Sequence, residues 1–343
     1  MTGREVHPVA YPRGEIRPSD FRVVEAEVPE PGVGEVLVRN TWTSVDPALR
    51  LRLRERVPRG YFAAFPLGEP MAGISTVGEV VASRAPGFAL GDVVRHGAGW
   101  RDYAVVHAGT ESLGGIATLT RLDVDAAPPE AYLGALGASG LTAYAGLFHV
   151  AELRDGDIVW VSAAAGSVGS LVAQLAKLRG HRVVGSAGSD EKVRYLLGTL
   201  GLDAAFNYKR GALPELLRAA APEGIDVYFD NVGGDHLEAA LGALRKRGRV
   251  AMCGAISEYD AADPVPGPSN LFLAVANELT LRGFRGSSQA ALMDEMVREI
   301  GAWLRAGRIQ YEQTIVEGLE HAPEALARLL RGDATGKMLV RIA

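Results

Sequence analysis

From residue 157 onward, short apolar runs alternate with stretches in which apolar positions recur every three or four residues. Val159, Trp160 and Val161 make one such run, which ends in small residues, and Leu171, Leu175 and Leu178 then fall at helical spacing within Ser170 to Arg179. Gly166 and Gly169 separate the two, Gly180 follows as a cap, and Arg182 to Gly185 is apolar again. The pattern predicts strand, glycine turn, helix and strand, the first βαβ unit of a parallel sheet. It continues with a helix over Glu191 to Leu200, a strand over Ala204 to Tyr208, a helix over Leu213 to Ala220 and a buried strand at Val227 to Phe229. A helix over His236 to Leu244 and a strand over Arg249 to Cys253 follow, then a Pro- and Gly-rich loop between Pro264 and Pro268. Leu279 to Phe284 predicts a last strand, and Leu292 to Leu304 a long amphipathic helix. The expected fold of this half is α/β, a doubly wound parallel sheet. Ligands of such sheets gather beyond the carboxyl ends of the strands, so Asn231, Cys253, Gly254 and Ala255 are expected to line one crevice with Gly166.

The first 122 residues carry a different signal. Residues 21–27, 34–43, 73–83, 92–95 and 103–106 are short β-rich runs bounded by Pro and Gly, which predict an irregular antiparallel, barrel-like domain. Inside it, Ser44 to Arg50 (SVDPALR) is followed by Tyr61 and Phe62 in a Gly- and Pro-rich loop, and these residues are candidates to face a substrate. Residues 123–153 predict a helical connector that starts near Pro128 and Pro129, with Leu133, Leu136, Leu141, Tyr144 and Leu147 in register. The terminal GKMLVRIA predicts a strand that returns to the first domain.

A length of 343 residues favours two domains. The net charge of −5 gives no basic face of the kind nucleic acid requires, so a nucleic-acid partner is not expected. The N-terminus lacks the apolar core of a signal peptide, and no run approaches the roughly 18 apolar residues of a membrane span. A soluble cytoplasmic protein is therefore expected. The single cysteine, Cys253, excludes an intrachain disulfide and any zinc site built from several thiolates, and the seven histidines show no ligand spacing, so no metal is expected.

The glycine turn points to a dinucleotide. Gly166 lets the backbone approach a pyrophosphate, Gly169 lets the helix pack close to the strand, and the free N–H groups of the helix N-terminus favour the anion. Ala164 takes the place of the usual first glycine, so the binding stretch Ala164, Gly166, Ser167, Val168 and Gly169 reads A-x-G-x-x-G. An NAD site would place Asp or Glu about 20 residues further on, but residues 185–189 contain no carboxylate. Gly188 instead leaves room for a phosphate and Lys192 supplies a cation one helical turn later, which favours NADP(H).

With both halves read, the chain resembles the medium-chain dehydrogenase/reductase superfamily. The resemblance rests on SVDPALR at Ser44, GLTAY at Gly140, VSAAAGSVGS at Val161, VVGSAGSDEK at Val183, FNYK at Phe206, FDNVGG at Phe229, CGAIS at Cys253 and GKMLVR at Gly336. It is most similar to the zinc-free branch of prostaglandin reductases, leukotriene hydroxydehydrogenases, alkenal double-bond reductases and curcumin reductases. That resemblance implies a GroES-like β-rich catalytic domain made from residues 1–125 and 305–343 around a Rossmann NADP-binding domain at 126–304, usually as a homodimer. It implies that Gly188, Lys192 and Tyr208 surround the 2′-phosphate, and that Thr142, Asn231, the backbone near Cys253 and Ala255, and Phe284 hold the nicotinamide half. Read without the resemblance, Asn231 closes a turn, Cys253 is a core thiol and Tyr208 is a surface aromatic.

Departures from the family pattern matter too. Ala48 stands where the family's SVDPYMR has an aromatic, which reshapes the substrate wall beside Tyr61 and Phe62. Ala334 replaces a common asparagine, which removes one expected cofactor contact, and Ala173 replaces a frequent helix glycine. Zinc relatives use Cys and His ligands, whereas Ser44 stands near the first of those positions and Glu69 follows Gly68 without a histidine. The implied activity is NADPH-dependent reduction of the C=C bond of α,β-unsaturated ketones or aldehydes. Negative charge then develops on the carbonyl oxygen, for which the cofactor ribose hydroxyl can serve as donor and Tyr259 is the implied protein donor: a phenol, with an ordinary pKa near ~10, donates without ionising at neutral pH. An NADPH-dependent quinone oxidoreductase is the nearest alternative, and a non-catalytic NADPH-binding sensor a more distant one.

Overall fold

The computed structural model describes residues 1–261, 263 and 265–342. Of the expected loop between Pro264 and Pro268, Pro264 lies outside the described residues. The chain forms two compact units, one comprising residues 1–138 with 313–343 and the other residues 139–312. These boundaries fall later in the chain than the 125/126 and 304/305 expected from the sequence.

In the second unit, six parallel strands lie in the spatial order Ala204–Asn207, Arg182–Ala187, Ile158–Val161, Ile225–Asp230, Leu244–Met252 and Thr280–Gly283. The chain therefore starts in the middle of the sheet, winds to one edge, returns, and winds to the other. The order reverses between Ile158–Val161 and Ile225–Asp230, which creates the crevice where such sheets bind nucleotides. Ile158–Val161 is buried at every position, as a central strand covered on both faces must be, and this is why it reads as an unbroken apolar run. Trp160 stacks on Tyr228 with ring centroids 4.4 Å apart and anchors the core on one face.

The first unit is mainly antiparallel. Glu35–Ser44 pairs with Thr76–Ser83, Tyr103–His107 and the C-terminal Lys337–Arg341, and Val93–His96 extends the sheet. Three elements escaped the sequence pattern. Thr2–Pro8 pairs with Phe21–Glu27 although its residues are mostly polar. Gln313–Glu317 runs parallel to Lys337–Arg341, and helix Ala322–Arg331 connects the two. The expected helical connector, starting at Pro129, consists of a 3₁₀ segment at Pro129–Leu133, a helix at Ala138–Tyr144 and a π-helical turn at Ala145–Val150. The chain turns sharply between Leu133 and Ala138, where a side chain at Gly137 would sit 2.2 Å from the Tyr132 carbonyl oxygen. Among the described residues, no helix is long and apolar enough to cross a membrane.

One buried group gives the first unit a pH dependence. His96 is fully enclosed, its Nε2 hydrogen-bonds Asn40 Oδ1 at 3.0 Å, and its Nδ1 accepts from the Ala98 N–H at 3.1 Å. Burial, with the Arg101 charge adding to it, pushes its pKa down to about 3. The folded state therefore refuses a proton that the unfolded chain accepts below about 6.5. The stability that neutral His96 allows is present above that pH and is lost as pH falls from 6.5 toward 3. Urea unfolding is expected to show a loss of about 1.4 kcal/mol from this group at pH 5.5 relative to pH 7.5. His96→Gln, which keeps a donor and an acceptor, should reduce the pH dependence by that amount.

Candidate functional site

The glycine turn joins the end of strand Ile158–Val161 to helix Ser167–Leu178. The Gly166 N–H closes the turn on the Ala163 carbonyl at 2.9 Å, and Ala163 itself takes a left-handed φ of 47°. Two glycines are required by close approach. A methyl group at Gly169 would sit 2.4 Å from the Ala163 carbonyl oxygen and 2.9 Å from Ala164 Cα, so only glycine lets the helix pass the turn. At Gly185 on the neighbouring strand, a methyl would meet Ala164 Cβ at 3.0 Å. Gly185 thus makes the room that Ala164 needs, which explains how this chain tolerates alanine at the usual first glycine. Gly166 caps the helix without a side chain, so the first-turn N–H groups at Ser167, Val168 and Gly169 point to a site for an anion. The Ser167 hydroxyl donates to Ser139 at 2.8 Å and holds the start of the helix in place.

The next two strand ends lie side by side, because Ala187 is in register with Asn207. Gly188 consequently faces Tyr208: a methyl at Gly188 would sit 3.2 Å from the Tyr208 hydroxyl and 3.5 Å from Lys209 Cε. Ser189 caps the following helix and accepts from the Lys192 N–H at 3.2 Å, so Lys192 lies on its first turn. His236, which sequence pattern alone did not single out, is edge-on to Tyr208 at 4.9 Å and stacked on Trp160. Burial lowers its pKa to about 4, so it is a neutral packing group that backs Tyr208.

Beyond the ends of the next two strands, a polar network shapes the crevice. The Asn231 side-chain amide donates to the Ser162 carbonyl at 2.8 Å, and its backbone N–H donates to Ser162 Oγ at 3.0 Å. This leaves the Asn231 side-chain oxygen outside the pair. Asp230 lies behind it and accepts from the Tyr228 hydroxyl at 2.8 Å, the Val232 N–H at 3.0 Å and the Gly233 N–H at 2.8 Å. Its backbone carbonyl accepts from the N–H groups of Cys253 and Gly254, which draws the two strand ends together. A methyl at Gly233 would lie 2.9 Å from Ala255 Cβ, and one at Gly254 would lie 3.0 Å from the Tyr259 hydroxyl. Asn231, Cys253, Ala255 and Tyr259 are therefore neighbours. Burial, with Asp230 adding to it, pushes the Cys253 thiol up to about 12, so it lines the crevice as a neutral group and not as a thiolate.

Thr142 and Phe284 meet through two further glycines. A methyl at Gly286 would sit 2.2 Å from Thr142 Oγ1, and one at Gly146 would sit 2.5 Å from both Phe229 and Phe284, whose rings meet edge to face at 6.1 Å. Ser162, Asp230, Gly185 and Gly286 support the site but bear no chemistry that a sequence pattern would mark. Ser162, Asp230 and Gly185 lay inside the quoted motifs as neighbours of the selected residues, and Gly286 lay outside them, two residues after Phe284.

The remaining expected residues belong to the first unit. Tyr61 and Phe62 pack edge to face at 5.1 Å, and Ala48 precedes the short helix Leu49–Arg52. Below Ala48, Ser44 donates to Asp46 at 2.6 Å, and Asp46 forms a buried ion pair with Lys337. Among the described residues, no group of three or more His, Cys, Asp or Glu is placed to hold a metal.

A dinucleotide does fit. The close approach at Gly166 and Gly169, the uncapped helix N-terminus and the hydroxyl and cationic side chain that Tyr208 and Lys209 bring to Gly188 are the features such a molecule requires. Two family models match the chain: one described as the N-terminal domain of oxidoreductase, over residues 4–113, and one described as zinc-binding dehydrogenase, over residues 167–302. The chain is 40% identical to an NADP-dependent oxidoreductase of Bacillus subtilis, over 99% of this chain and 98% of that protein. It is 37% identical to the NADPH-dependent curcumin reductase of Escherichia coli, over 97% and 94%. Among solved structures, CurA from Vibrio vulnificus in complex with NADPH superposes with a TM-score of 0.91 at 33% identity, covering 99% of each chain.

Proposed function

The chain belongs to the medium-chain dehydrogenase/reductase family, and from that premise we propose that it uses NADPH to reduce the C=C bond of α,β-unsaturated ketones and aldehydes. The observation that carries this reading is the crevice itself, which joins a dinucleotide turn to a phenol at Tyr259 and a neutral thiol at Cys253.

Bound NADPH supplies a hydride for the β-carbon of the substrate. Ala164, Gly166, Ser167, Val168 and Gly169 hold the pyrophosphate with backbone and helix N-terminus. Gly188, Lys192 and Tyr208 hold the 2′-phosphate. Asn231, kept in one orientation by Ser162, works with Thr142, Phe284 and the backbone around Cys253 and Ala255 to position the nicotinamide half. Ala48, Tyr61 and Phe62 form part of the substrate wall, and a small residue at Ala48 leaves that wall open to bulky substrates.

Tyr259 donates a hydrogen bond to the carbonyl oxygen as negative charge develops there, and water delivers the proton to the α-carbon. Tyr259→Phe is expected to lower kcat on a good enone roughly 10- to 100-fold, with the Kd for NADPH unchanged. Stopped-flow and fluorescence titration measure the two, and an unaltered kcat would remove the catalytic role.

We read the protein as a cytoplasmic homodimer. The strand Thr280–Gly283 is an edge of the six-stranded sheet, and Leu271, Phe272 and Val275 beside it are 53%, 76% and 70% exposed, a surface suited to a second copy. Light scattering separates a dimer from the 36.3 kDa monomer, and cell fractionation tests the location.

A further inference from the structure

The strand end that carries Gly188 also carries a carboxylate. Asp190 is the first residue of helix Asp190–Gly198, two positions beyond Gly188, close to where an NAD site places the acid that binds the ribose hydroxyls. Its two oxygens are already engaged. Oδ1 accepts from Asn207 Nδ2 at 2.7 Å and from Arg210 Nε at 3.3 Å, and Oδ2 pairs with Arg210 Nη2. Asn207 and Arg210 flank Tyr208 and Lys209 on the adjacent strand end and its 3₁₀ turn, Tyr208–Arg210. Asn207 ties this turn together, because its Oδ1 accepts from the Lys209 N–H at 3.1 Å while its amide donates to Asp190.

We propose that Arg210, with Asn207, masks Asp190 and so sets the cofactor preference: the pair keeps the carboxylate from the ribose hydroxyls of NADH and cancels its charge beside the 2′-phosphate of NADPH. This rests on the 2′-phosphate lying against Gly188.

The pair is solvent-facing, with side-chain exposures of 68% and 47%, so it adds little to stability. Its consequence is local. The Arg210 and Asn207 hydrogen bonds lower the Asp190 pKa to about 2, so the group carries a full negative charge at any working pH. Left uncancelled, that charge would repel a phosphate held at Gly188 and offer its acceptors to a diol. Neutralised, it leaves the cationic side chain of Lys209, which lies against Gly188, unopposed by Asp190. Arg210 thus acts through Asp190 and is a positioning residue.

The test is direct binding, without turnover. Kd values for NADPH, NADH and 2′,5′-ADP are measured by fluorescence titration at low salt for the parent, Arg210→Ala, Asp190→Asn and the double variant. Arg210→Ala is expected to lower the preference for NADPH over NADH about 10-fold, by weakening NADPH and 2′,5′-ADP while NADH is held or tightened. Asp190→Asn is expected not to lower it, and the double variant to return to within about 3-fold of the parent. Retained NADH binding shows that each variant is folded. An unchanged preference in Arg210→Ala would overturn the proposal. So would a loss that persists in the double variant, since Arg210 would then be a direct phosphate ligand. Lys192→Ala is measured alongside: if it alone loses the preference, masking falls and the phosphate position stands, and if it too is unaffected, the phosphate position falls as well.

Discussion

Replacing Lys192 by alanine is expected to raise the Kd for NADPH roughly 10- to 100-fold while changing that for NADH less than about 3-fold. The size follows from what a cation contributes beside a phosphate. A hydrogen bond to a charged group is worth about 1.5–3 kcal/mol, and the 2′-phosphate is the one part of NADPH that NADH lacks. Lys192 stands on the first turn of the helix that Ser189 caps, three residues after the Ser189 that follows Gly188, and Gly188 itself faces the hydroxyl of Tyr208. Binding should also become less sensitive to salt, because one fewer ion pair is screened. Fluorescence titration with both cofactors at two ionic strengths measures this. Equal weakening of NADPH and NADH would mean that Lys192 supports the fold of the turn and does not touch the phosphate.

The second large effect is expected at Gly169. Valine there must place Cβ where the Ala163 carbonyl oxygen lies 2.4 Å away and Ala164 Cα 2.9 Å away, and neither atom belongs to a side chain that could rotate aside. The helix must move off the strand, which removes its N-terminus from the turn. A cost of about 3 kcal/mol or more is expected from overpacking against backbone, with the loss of measurable NADPH affinity. Gly166→Ala should be much milder. Its methyl would meet the Ala163 oxygen at 3.2 Å, a contact that a shift of a few tenths of an ångström relieves. Thermal unfolding and NADPH titration of the two variants check the order. A Gly169→Val protein with the parent's melting temperature and NADPH affinity would contradict the role of close packing at this turn.

What could be read in the sequence, and what could not, follows from where each signal is stored. The parallel sheet was legible because its inner strands are buried on both faces, so Val159 to Val161 and Val227 to Phe229 read as unbroken apolar runs between helices. The strand Thr2–Pro8 was not, because Arg4 and Glu5 lie on it: Arg4 pairs with Asp102 and Glu320, both distant in sequence. The strand and helix at Gln313–Glu317 and Ala322–Arg331 were overlooked although the helix has an apolar stripe through Ala322, Ala325 and Leu326. The connector was legible as helical, but not its division into three pieces, since leucine spacing carries no information about a turn imposed where Gly137 meets the Tyr132 carbonyl.

The candidate site divides in the same way. Gly166 and Lys192 stood out by type and spacing, Asn231 by its place at a strand end, and Tyr259 only through the family resemblance. Residues that hold them did not. Asp230 gathers four N–H groups and a phenol through its side chain and carbonyl, yet in the sequence it is one more acid at a strand end. Asp190 lay just past the window in which an NAD-type acid was sought, and the partner that neutralises it, Arg210, is on another strand end. Only the register of Ala187 with Asn207 brings the two together.

The central claim is most directly tested by the product. The purified protein is incubated with NADPH and a panel of enones, 2-alkenals and quinones, and each product is identified by mass and by the position of its remaining double bonds. A saturated ketone or aldehyde, two hydrogens heavier than its substrate and with its carbonyl intact, is the predicted result. Hydroquinone as the sole product, or saturable NADPH binding with no product from any of the three classes, would contradict it.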